Sequence, residues 1–116
     1  MSNRLPRAQA LDMFQTAAKT FSIAVKDANE VAIDLTGKDM RMVVHDGQKP
    51  PVFKFQSEVI TITGTGNDHA DVIVDISMSA TANAHWRWEL WDITTTEGEA
   101  VLAHGAFKIL PAVKGS

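Results

Sequence analysis

Residues 85–93 read HWRWELWDI and hold all three tryptophans of the chain. Alternation at period two puts Trp86, Trp88 and Leu90 on one face of an extended segment, and Arg87, Glu89 and Trp91 on the other. One face is apolar and the other charged, the pattern of a strand half-buried in a sheet. Burying the apolar face contributes about 1.5–3 kcal/mol per large side chain. Trp86 and Trp88 are therefore expected in the core. Trp91 falls on the outward face. Three roles are open to it there: covering the N-terminal segment, meeting another subunit, or stacking on a sugar ring. Aromatic side chains are enriched in protein interfaces.

The chain outside this stretch supplies further strands to bury the tryptophan face. Phe21, Ile23 and Val25 alternate with Ser22, Ala24 and Lys26, and Val31, Ile33 and Leu35 repeat the pattern after a polar turn. Gly37 breaks that run. Met40, Met42 and Val44 form the next alternating set. The loop HDGQKPP at 45–51 follows, its paired prolines unable to join a ladder. Residues 52–56 place Phe53 and Phe55 on one face, and residues 59–63 and 71–77 read as a hairpin around Gly64 and Gly66. Val72, Val74 and Ile76 are expected inside, with Asp71 and Asp75 outside. Residues 78–83 show no alternation and read as a short turn of helix or a crossover connection. In the last run, 100–110, the expected inner set is Val101, Ala103, Gly105, Phe107 and Ile109.

These are about seven short strands with turn signals about every ten residues, the pattern of an all-β, antiparallel immunoglobulin-like β-sandwich. An open barrel is the alternative architecture. Residues 1–16 stand outside the pattern as an N-terminal arm, helical or extended, with the sandwich domain spanning 17–116. Leu11, Met13 and Phe14 on that arm need cover from this chain or another, and with Trp91 they are the expected protein interface.

The chain has 116 residues, the length of one domain, and carries a net charge of −3. No basic excess meets a phosphate backbone, so nucleic acid is not an expected partner. No apolar run reaches the roughly 18 residues of a membrane span. Polar residues interrupt the first 20, which do not read as a secretory signal. Cysteine is absent, which removes disulfides, thiolate catalysis and cysteine-bound metal.

The residues that could carry chemistry are few. His69 between Asp68 and Asp71 reads as a solvated hairpin tip rather than a metal loop, because zinc needs three or four convergent ligands. Asp27, Asn29 and Glu30 lack the glycine and later glutamate of a calcium loop. There is no Gly-x-Ser-x-Gly elbow, and no helix is expected after the Gly64-Thr65-Gly66 turn to make a phosphate site. The expectation is a protein without catalytic, metal or cofactor residues. Asp34, Thr36 and Gly37 read as fold-building: Asp34 and Thr36 can accept backbone hydrogen bonds across a turn that Gly37 reverses.

Asp34-Leu35-Thr36-Gly37, then Arg41 in an alternating strand, then Trp86, Trp88 and Leu90, and finally Gly105 and Phe107, occur in an order that resembles a group of small tailed-phage virion proteins. That group includes the N-terminal domains of baseplate upper proteins and short head-fibre or tail accessory proteins. The resemblance covers about residues 20–112. It implies an immunoglobulin-like frame and a non-enzymatic structural role in the phage particle. The implied partners are other virion proteins and further copies of the chain, with assembly from the host cytoplasm. Baseplate upper proteins continue into long receptor-binding regions, whereas this sequence stops at Ser116. The expectation is therefore an accessory, adaptor or decoration subunit of head or tail. The alternative is a carbohydrate-binding module that contacts host surface glycan through Trp91.

Overall fold

The computed structural model describes residues 6–14, 18–75, 84–95 and 98–111. Eight strands form two sheets. β1 (Leu11–Phe14), β3 (Met40–His45), β4 (Phe53–Ser57), β7 (His85–Asp92) and β8 (Ala100–Leu110) make a five-stranded sheet, ordered β1-β8-β7-β3-β4. β2 (Lys19–Ala24), β5 (Ile60–Thr63) and β6 (His69–Val74) make a three-stranded sheet, ordered β2-β6-β5. Neighbours are antiparallel except β1, which runs parallel to β8. No helix occurs among the described residues.

The sheets face each other across one apolar core, a sandwich-like arrangement. Phe21, Ile23, Val72 and Val74 come from the smaller sheet, and Met42, Val44, Trp88, Leu90, Phe107 and Ile109 from the larger. Phe21 and Phe107 meet edge to face across the layers, 5.8 Å between ring centres, a favoured aromatic geometry. Trp88 is fully buried, and Trp86 is half-buried against the same core. The Lys54 ammonium lies 5.4 Å from the centre of the Trp86 ring and covers it.

The N-terminal segment is extended, not helical, and β1 is the edge strand of the larger sheet. Its backbone runs close over Gly105. A Cβ at that position would collide with the main chain of Gln9, so glycine is required for the approach. Gln9 then ties three elements together. Its N–H donates to the His104 carbonyl at 2.8 Å, and its own carbonyl accepts from the Trp88 indole at 2.8 Å. Its side-chain amide donates to the Ala24 carbonyl on the opposite sheet at 2.9 Å. Met13 fills the core with 2% of its surface exposed.

Three sequence expectations change. The run at 31–35 is not a strand; it makes one isolated bridge, Lys26 to Ala32. The Asp27 carboxylate accepts the N–H groups of Asn29 and Val31 and holds a turn instead. Leu35 alone from that run is fully buried, while Val31 is exposed. Second, a bulge opposite Leu90 and Trp91 leaves Leu102 unpaired in β8, so Leu102 joins the core and Val101 swings outward beside Trp91. Third, a bulge at Val44 and His45 separates Phe53 from Phe55. Phe55 packs on the core, whereas Phe53 is 52% exposed. The expected hairpin of 59–63 with 71–77 is present as β5 and β6. Ile76 and the stretch 78–83 lie outside the described residues.

Candidate functional site

The outer face of the larger sheet carries the one aromatic cluster that the core does not use among the described residues. Trp91 on β7 lies opposite Arg41 on β3, and Glu89 lies opposite Val43. The Trp91 indole donates to one Glu89 oxygen at 3.0 Å. The other Glu89 oxygen faces His45 Nε2 at 3.5 Å. Gly47 N–H donates to His45 Nδ1, which assigns the proton of a neutral ring to Nε2, the atom turned toward Glu89. Phe53 then packs edge-on against His45, 6.2 Å between centres. The chain Trp91, Glu89, His45, Phe53 is a continuous line of fixed side chains across three strands.

A groove of about 200 Å³ opens along this line. Val43 and Ile93 form part of its lining, and Arg41, Gln56, Glu89 and Glu99 supply its polar atoms. Val43 is 5% exposed yet points away from the inter-sheet core, covered by these outer-face side chains. Arg41 pairs with Glu58 at 3.2 Å. The lining thus mixes the apolar side chains of Val43, Phe53, Trp91 and Ile93 with the polar ones of Arg41, Gln56, Glu89 and Glu99. Nothing in it supplies a nucleophile held by a general base. Among the described residues, no group of three or more His, Asp or Glu side chains could hold a metal ion. His69 is paired with Asp68 at 2.8 Å at the tip of the β5–β6 hairpin.

A scan against protein-family models finds no match for this chain, and a search of curated proteins finds none either.

The residues singled out in the sequence separate into two groups. Trp86 and Trp88 face the core. Asp34, Thr36 and Gly37 build the turn before β3: the Asp34 carboxylate accepts the Thr36 N–H at 2.9 Å, and Gly37 takes a φ of +78°. Hydrogen bonds from Thr36 hold the Asp34 carboxyl below its ordinary pKa. The Thr36 hydroxyl in turn accepts from the Asn67 side chain at 3.1 Å, tying this turn to the β5–β6 connection. Of the expected interface residues, Met13 is buried in the core and Leu11 packs against it. Phe14 remains 55% exposed. Trp91 is half-buried, and β8 lies between its strand, β7, and β1. The structure does not bring Trp91 and Phe14 together on one element. Val43, Phe53, Gln56, Ile93 and Glu99 are members of the groove that sequence reasoning missed. The bulge that turns Phe53 outward leaves no mark in the alternation of 52–56.

Proposed function

We propose that this chain is a structural subunit of a tailed-phage particle, without catalytic activity. In this reading it is an accessory, adaptor or decoration protein of head or tail that assembles by protein–protein contact on an immunoglobulin-like frame. The strand order supports the frame. β2-β6-β5 matches the B-E-D order of such sandwiches, and β8-β7-β3-β4 matches G-F-C-C′. The observation that carries the functional reading is the division of labour among the residues of the resemblance. Asp34, Thr36, Gly37, Trp88, Gly105 and Phe107 all serve the frame. The groove beside Trp91 and Phe53 is left as a prepared contact surface, with homo-oligomers and other virion proteins as its partners.

Mass spectrometry of purified particles tests this reading. The chain is expected in whole-number stoichiometry with the head or tail proteins. Its absence from particles made in cells that express it would sink the proposal. The double variant Trp91→Ala with Phe53→Ala should fold, yet occupy particles at least about tenfold less well, since central aromatic anchors are worth about 2 kcal/mol or more each.

A further inference from the structure

The N-terminal segment sits in a slot built wholly from later parts of the chain. β8 supplies the edge that β1 pairs with, in the register Leu11 to Phe107 through Phe14 to Leu110. Gly105 supplies the notch for the Gln9 backbone. Trp88 N–H, His104 carbonyl and Ala24 carbonyl bind Gln9, and His104 Nε2 binds the Pro6 carbonyl at 2.7 Å. Partners in these contacts lie up to 98 residues apart in sequence. The one covalent tie between segment and slot is the short stretch 15–18. A second copy of the chain carries an identical segment, so it can fill the slot with the same contacts. Closed and exchanged chains then differ only in the path of that link and in concentration. Phe14 stands at the link end of β1 with 55% of its surface exposed.

We propose that residues 6–14 exchange between two copies of this chain, β1 of each completing the five-stranded sheet of the other. The exchange stands whether or not the chain is a virion subunit.

The absence of cysteine makes a clean test. Asp12 and Lys108 are register partners, and both are exposed. Neighbouring strands lie about 4.8 Å apart, within the Cα range of a disulfide. Full-length Asp12→Cys and Lys108→Cys chains, differently tagged, are co-expressed and oxidised. Exchange predicts a mixed disulfide of doubled mass on a non-reducing gel. It should be about tenfold or more above the product of Asp12→Cys with Thr61→Cys, a control exposed on the other sheet. The double variant Asp12→Cys, Lys108→Cys reports the register in either case. If it closes within single chains while the two single variants give no mixed dimer, the exchange is overturned. A mixed dimer no more abundant than the Thr61→Cys control reports random collision and overturns it too.

Discussion

Trp88 illustrates how much one side chain can decide here. It is fully buried, and its indole N–H holds the Gln9 carbonyl. The ring therefore fills the core and fixes the path of the N-terminal segment together. Trp88→Phe keeps an aromatic ring but leaves a small void and an unpaired carbonyl. It should cost about 2–3 kcal/mol, read as a lower urea midpoint at unchanged slope. Trp91, three residues on, has a different task. Its N–H is taken by Glu89 on its own strand, and its half-buried ring lines the groove beside Val43.

At the scale of elements, two bulges and one turn set what each strand presents. The β8 bulge at Leu102 brings a leucine into the core and releases Val101 to the side of Trp91. The β4 bulge releases Phe53 to the groove. The turn before β3 depends on Gly37, whose φ of +78° lies in the left-handed region, with nothing within 4 Å of where a Cβ would stand. Gly37→Ala thus meets no clash and isolates the backbone penalty. The expected loss is about 1–2 kcal/mol by chemical denaturation, with the β3 register unchanged in amide chemical shifts.

For the molecule as a whole, acid stability rests on a few hydrogen-bonded carboxylates. Burial alone would raise the Asp92 pKa. The Thr94 hydroxyl and N–H and the Lys38 ammonium, 3.1 Å away, outweigh it and hold the carboxyl below the usual 3.8. Asp46 is lowered in the same sense by backbone N–H groups of Val52 and Gln48. A folded pKa below the unfolded one means that the native state favours the charged form. The resulting stability is complete above the ordinary aspartate value and is lost as pH falls through the lowered one. Asp92→Asn should therefore be less stable than wild type near neutrality, by about 1 kcal/mol. Urea midpoints measured down to about pH 2 should show that gap closing. The sheet edges are also guarded at this scale. The Lys19 ammonium binds the Asp12 carbonyl on the outer side of β1, and Pro50 and Pro51 precede β4.

Period-two alternation by itself determined that the chain is all-β, that Trp88, Leu90, Met42, Val44, Val72 and Val74 face inward, and that Trp91 faces out. It did so because a pleated strand alternates its side chains whatever its partners are. The turn at Asp34 to Gly37 was legible for a similar reason, since its hydrogen bonds are local. Tertiary structure alone decided where β1 lies, why Gly105 is glycine, and that Met13 belongs to the core. Each depends on Gln9 meeting Trp88 and His104 from the far end of the chain. It also decided that Leu102 turns in while Val101 and Phe53 turn out, because a bulge is a mismatch between two strands and neither strand records it alone. The nine residues HWRWELWDI thus announce the core, but the groove beside their last tryptophan exists only once β3 and β4 are laid alongside.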